Sequence, residues 1–162
     1  MENGGHKDIN DKTFTMANKR VRRIKMLALI CGDFGIIHQG HLDHIIKAYM
    51  MSDWLIIATH RDGSIRERKK YEPVPLWARM MILKGLLISL GGEGEVVLAK
   101  DLNGGCVQTL IHYKPDCYIK GGDRSEETMP IDELETCKRL GIEIIYGVGD
   151  LLNSSRGLYE ET

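Results

Sequence analysis

The sequence is short of several things, and each shortage removes a class of function. Twenty-two basic residues face 23 acidic ones, for a formal charge of −1. No global field therefore draws the chain to nucleic acid or to an anionic membrane, and an anionic ligand has to be met by local groups. Aromatic residues make up 6% of the chain, and none interleaves with its one N-terminal basic stretch, Lys19, Arg20, Arg22, Arg23 and Lys25. Without stacking platforms, that stretch reads as a solvated entry to the first strand rather than a nucleic-acid contact. The four cysteines, Cys31, Cys106, Cys117 and Cys137, form no CxxC pair. A zinc ribbon or thioredoxin-type site is thus not expected, and the cysteines read as reduced thiols. No apolar run reaches membrane-spanning length, and the N-terminus lacks the apolar core of a signal peptide, so the expected location is cytoplasmic.

What is present is an ordinary globular composition, 43% apolar over 162 residues, sized for one compact domain. Residues 1–18 are polar and rich in Gly, Asn and Asp, and are expected to form a flexible tail before a single domain at 19–162. Within that domain the chain alternates. Apolar runs at Met26–Cys31, Asp53–Thr59, Glu95–Ala99, Asp116–Lys120 and Ile142–Tyr146 predict strands. Helical spacing predicts helices over Gly40–Met51, Leu76–Leu90, Gly104–Tyr113, Ile131–Leu140 and Ser154–Glu161. The segment between the second strand and Pro73 reads as a basic loop over the active face, against the alternative of a merely flexible charged loop. Such alternation predicts an α/β fold: a doubly wound, five-stranded parallel sheet in a Rossmann-like sandwich. Ligands of these sheets sit beyond the carboxyl ends of the strands, where strand order reverses.

The segments that follow the strands therefore carry the functional reading. After strand one comes Gly32-Asp33-Phe34-Gly35-Ile36-Ile37-His38-Gln39-Gly40-His41. Glycines let main chain approach a phosphate, and the helix N-terminus offers free amides and a positive dipole end. Imidazole N–H groups at that place can stabilise charge developing on phosphoryl oxygens. A metal site built from His38, His41 and His44 has no HExxH pattern and no acid or cysteine at ligand spacing to support it, and none is expected. After strand two come His60, Asp62, Arg66, Arg68, Lys69 and Lys70, then Pro73, Pro75 and Arg79, a basic set suited to neutralising a triphosphate. After strand four comes Lys120-Gly121-Gly122-Asp123, and at the last helix Asn153-Ser154-Ser155-Arg156, whose hydroxyls and amides would seat phosphates or simply cap the helix.

Taken together these segments resemble the cytidylyltransferase-like nucleotidyltransferase superfamily. His38-Gln39-Gly40-His41 is similar to its HxGH signature within a GxFDxxHxGH pattern, which Gly32, Phe34, His38, Gly40 and His41 match and Gly35 does not, since an aspartate is usual there. Asp62, Lys69 or Lys70, and Arg79 stand where the family has an aspartate, lysines and a helix-opening arginine; Glu72 stands near a usual arginine. Lys120-Gly121-Gly122-Asp123 resembles the KGGD motif of sugar-phosphate adenylyltransferases, notably the transferase domain of ADP-heptose synthase. Ser154 and Ser155 match a serine-threonine motif in which Arg156 replaces a usual Ser or Thr.

The resemblance implies an enzyme that moves a nucleoside monophosphate from ATP or CTP to a sugar phosphate and releases pyrophosphate. It implies His38, His41, Lys69 and Lys70 as catalytic. It implies Gly32, Asp33, Phe34, Gly35, Gly40, Arg79, Lys120, Gly121, Gly122, Asp123, Ser154 and Ser155 as nucleotide-binding. The lysines contact either the triphosphate or the acceptor phosphate. Asp123 either assists magnesium or braces its loop. Mg2+ is expected mainly on substrate phosphates, and a homodimer is expected, with no nucleic acid or membrane partner. Two alternatives stand beside this one: a glycerol-phosphate cytidylyltransferase-like enzyme, and a degenerate member that binds nucleotide without turnover.

Overall fold

The computed structural model describes residues 26–149. The tail, the basic stretch at 19–25 and the segment bearing Asn153, Ser154, Ser155 and Arg156 lie outside the described residues, as does the helix expected at Ser154–Glu161. Strands β1 (Leu27–Gly32), β2 (Trp54–Thr59), β3 (Gly94–Leu98), β4 (Cys117–Gly121) and β5 (Glu143–Val148) form one sheet in the order β3-β2-β1-β4-β5, all neighbours parallel. The helices are α1 (Gln39–Met51), α2 (Asp62–Lys69), α3 (Leu76–Leu90), α4 (Val107–Tyr113) and α5 (Ile131–Leu140).

Both faces of the sheet are covered, which is why the strands read as unbroken apolar runs. Ala28, Ile30, Leu55 and Ile57 pack against Ile45 and Ala48 of α1 and Leu83 and Leu87 of α3. Leu29, Ile56 and Tyr118 pack on the other face with Leu110 of α4 and Cys137 of α5. Helix α3 is apolar around most of its circumference, and Trp77, Met81 and Ile88 remain exposed at 69%, 65% and 74%. No helix among the described residues is long and apolar enough to cross a membrane.

The chain leaves β1 toward β2 and β3, then returns to place β4 on the other side. At that reversal the strands part early. β1 pairs with β2 along its whole length, from Leu27↔Trp54 to Gly32↔Thr59. With β4 its register partners are Ala28↔Cys117 and Leu29↔Tyr118. A crevice thus opens between Cys31–Gly32 and Lys120–Gly121, at the carboxyl edge of the sheet.

Two elements differ from expectation. Residues 62–69 are a helix, not the basic loop expected. Ile65 is its one buried residue, so no apolar period announces it. Its charges follow the helix dipole, with Asp62 in the first turn and Arg66, Arg68 and Lys69 in the last, and Lys70 ends it in a left-handed conformation at φ 60. Helix α4 begins at Val107 rather than Gly104. Its amides are capped from a distance: Gln108 and Thr109 N–H donate to the Asp101 carboxylate at 2.8 and 3.0 Å.

Candidate active site

The loop from β1 to α1 is held from inside. Phe34 adopts φ 48, and its buried ring lies beside Gly32, where a side chain would stand 3.2 Å from it. That ring meets His41 edge-on, with centroids 5.2 Å apart. A Cβ at Gly35 would meet the Tyr71 hydroxyl, which would have to move aside to admit it. Gly35 C=O accepts from Val74 N–H at 2.8 Å, tying this loop to the segment before α3.

His38 is the N-cap of α1, and its Nδ1 accepts from Gly40 N–H at 3.2 Å. His41 Nδ1 accepts in turn from His38 N–H at 3.4 Å, closing a reciprocal capping box. The two rings stack, 3.8 Å between centroids and 23° between planes. With both Nδ1 atoms accepting, each neutral ring carries its proton on Nε2. Burial pushes the His41 pKa down to about 4, helped by His38 and His44 and opposed by a hydrogen bond to the Ile36 carbonyl. Burial lowers the His38 pKa as well. The pair is therefore neutral near pH 7, a stacked set of imidazole donors at the positive end of α1. His44, on the same helix, shares a 2.6 Å hydrogen bond through Nδ1 with the Val148 carbonyl. It braces β5, and no group of His, Cys, Asp or Glu side chains among the described residues is arranged to hold a metal ion.

On the opposite face of the sheet lies a cleft of about 400 Å³. Asp33, His60, Arg68, Lys69, Lys120 and Arg124 line it, together with Asn103–Cys106, Pro130, Asp132 and Glu133. Lys120 Nζ donates to Tyr118 Oη at 2.9 Å and stands 3.7 Å from Glu133. Tyr118 Oη donates to Glu133 at 3.1 Å, so a buried acid fixes both side chains. Gly122 and Asp123 form the exposed turn beyond β4. Lys120 and Asp123 are close enough for their charges to act on His44 across the crevice.

The structure thus brings Gly32, Asp33, Lys69 and Lys120 to one cleft, and sets His38, Gly40 and His41 on the α1 side of the same strand end. Lys70, the left-handed residue that ends α2, is exposed and does not line the cleft. Arg79 faces protein. It is fully buried and donates to the Val74, Asp33 and His60 carbonyls, Thr59 Oγ1 and the Asp62 carboxylate. Its reach to a ligand is through the Asp33 and His60 main chain. His60 and Arg68, which the sequence reading takes only as members of a basic set after strand two, both bind the Asp33 carboxylate. The signal that could have found them is the charge order of 62–69, read as a helix facing the strand-one loop.

Comparison with known proteins bears on what this arrangement is. The profile of the cytidylyltransferase-like family matches residues 29–147, nearly the whole described fold. The chain belongs to the cytidylyltransferase-like family of nucleotidyltransferases. Among its relatives in the family, the bifunctional protein HldE of Blochmanniella pennsylvanica is 33% identical over 118 residues, 71% of this chain and 24% of that protein. The D-beta-D-heptose 1-phosphate adenylyltransferase of Bordetella bronchiseptica is 31% identical over 100 residues, 61% of this chain and 59% of that protein. The chain spans less than two thirds of either relative's length. The family fold recurs in a lipopolysaccharide core biosynthesis protein from Thermoplasma volcanium GSS1, at TM-score 0.60 and 23% identity over 77% of this chain and 98% of that one.

Proposed function

We propose that this protein transfers a nucleoside monophosphate, AMP in preference to CMP, from the triphosphate to a sugar phosphate and releases pyrophosphate. The observation that carries the proposal is the stacked, neutral His38–His41 pair capping α1 at the strand-order reversal. The preference for AMP and for a heptose-1-phosphate-like acceptor rests on the KGGD segment and on the two relatives named above.

In this reading the triphosphate lies along the N-terminus of α1. An oxygen of the acceptor's phosphate attacks the α-phosphorus. The new P–O bond forms as the bond from the α-phosphorus to the bridging oxygen breaks, and pyrophosphate leaves. The His38 Nε2–H and the α1 amides stabilise charge on the α-phosphate and the bridging oxygen, and the His41 Nε2–H joins them by exchanging the Ile36 carbonyl for a phosphate oxygen. The cleft holds the acceptor on the opposite side, with Lys69, Lys120 and Arg124 around its phosphate. A phosphate monoester is already ionised, so neither a protein base nor a covalent enzyme intermediate is required.

Magnesium fits as an ion carried by the substrate. The described residues offer no cage of three ligands, while Asp123 stands exposed at the crevice edge as a single carboxylate. One or two carboxylates plus substrate phosphates are the usual magnesium environment. When bound, the ion would supply charge neutralisation on the phosphates.

The test is pyrophosphate release with magnesium, crossing ATP, CTP, GTP and UTP with sugar, polyol and amino-alcohol phosphates. Release with ATP and a sugar phosphate is the expected result. Saturable nucleotide binding without release for any acceptor would favour a binding protein, and absence of nucleotide binding would overturn the proposal.

A further inference from the structure

One charged cluster in the cleft has no part in the transfer step just described. Asp33, 18% exposed, points its carboxylate into the cleft rather than toward α1. His60 Nδ1 lies 2.8 Å from Asp33 Oδ1, and His60 Nε2 lies 2.9 Å from the Gly105 carbonyl. That nearly buried ring pins the strand-one loop to the loop after β3. Arg68 reaches across from α2, with Nη2 at 2.6 Å from Oδ1 and Nη1 at 3.4 Å from Oδ2. The guanidinium lies against Gly104, where any Cβ would overlap it. Oδ1 is thus fully engaged, while Oδ2 has one long bond and faces the cleft.

The chemistry of this cluster is selective. Lys69, Lys120 and Arg124 supply positive charge for a phosphate, and a carboxylate among them would only repel one. A fixed carboxylate instead accepts hydrogen bonds from hydroxyl groups, and its two oxygens suit a vicinal pair. Cationic acceptors fit poorly, because Arg68 already neutralises the carboxylate and an added ammonium would face a guanidinium. An apolar acceptor would leave the carboxylate desolvated and without a new partner. We propose that Asp33, pinned by His60 and Arg68, is the residue that selects a polyhydroxylated phosphate as acceptor, Oδ2 receiving hydroxyls of the sugar while the cleft's cations hold its phosphate. His60 is the positioning residue of this pair, and the proposal rests on the transferase reading above.

The experiment measures pyrophosphate release by the full chain, with KM for acceptor and for nucleotide determined separately. Three proteins are compared, wild type, Asp33→Asn and Arg68→Gln, each with its thermal unfolding midpoint. The acceptors are a sugar phosphate, its monodeoxy analogues and ethanolamine phosphate. For Asp33→Asn, acceptor KM should rise at least tenfold with nucleotide KM within twofold. One monodeoxy analogue should cost wild type a similar factor and cost Asp33→Asn little more. Arg68→Gln, which unmasks the carboxylate, should gain relative activity on ethanolamine phosphate. An active wild type whose Asp33→Asn variant changes nucleotide KM alone, or keeps acceptor KM, would overturn the assignment and leave the transferase reading standing. If Asp33→Asn does not fold, Arg68→Gln decides: an unchanged acceptor preference overturns the assignment. A wild type silent with every acceptor overturns both.

Discussion

His38 and His41 each accept a main-chain N–H of the shared first turn at Nδ1, so one capping box sets the tautomer of two stacked rings. In the proposed mechanism, capping and chemistry therefore draw on the same side chains. Replacing either ring by alanine should lower kcat by about 10²–10³-fold, as for removal of one oxyanion-hole donor. Each loss should also cost about 1 kcal/mol of stability through the cap. Asparagine at 38 should restore the cap but not the turnover. Steady-state kinetics beside denaturant titration separates the two effects, and full activity in both alanine variants would remove the histidines from the mechanism.

Acid should destabilise the protein in two steps. For His41, with a folded pKa of about 4 against an ordinary 6.5, the unfolded chain binds more protons between those values. Stability is then fully present above about 6.5 and falls as pH drops toward 4. For Asp33, burial alone would raise the pKa, but hydrogen bonds and charge from His60 and Arg68 hold it at about 2. Its contribution is present above the ordinary 3.8 and is lost between there and about 2. Unfolding midpoints measured across this range should show a shallower slope between 6.5 and 4 in His41→Asn. An identical slope would mean that His41 is not held neutral by the fold.

Arg79→Met should be among the most damaging substitutions in the chain. It strips a fully buried guanidinium from three carbonyls, a threonine hydroxyl and Asp62. Breaking a buried ion pair by removing one partner costs about 3–5 kcal/mol. Lysine should recover little, since one ammonium cannot reach acceptors spread on several sides. The check is the denaturation midpoint. A loss within experimental error would show that the main chain around Asp33 and His60 holds its shape unaided.

Gly35→Ala should destabilise the loop because the Tyr71 hydroxyl already occupies the Cβ position. The same substitution in a Tyr71→Ala background should cost less, and the difference is the coupling between the two sites. Additive costs would place the strain elsewhere.

Much of the fold was legible because burial on both faces leaves an unmistakable trace in strands. Leu29 and Ile30 face different helices, yet both must be apolar. Helix α3 was equally plain, bounded by Pro75 and by Gly91 at φ 133. Helix α2 was not, because it is held by charge and a single buried Ile65, and charge order carries no apolar period. In the site, the glycines and histidines of the first loop are consecutive and could be read as a unit. The Asp33 cluster could not, since it joins residues 27, 35 and 45 positions apart. Arg79 shows the limit of motif reading in another way. Its position predicted a ligand contact, whereas complete burial turns every donor inward.

The early parting of β1 from β4 has an evolutionary side. Beyond Leu29↔Tyr118 the two strands run without a shared ladder, so each lines the crevice with main-chain groups that this ladder does not use. Main-chain groups are the same whatever side chain they carry. A lineage built on such an edge can replace most of its residues and keep those hydrogen-bonding groups, whereas a contact made by a side chain is lost with that side chain.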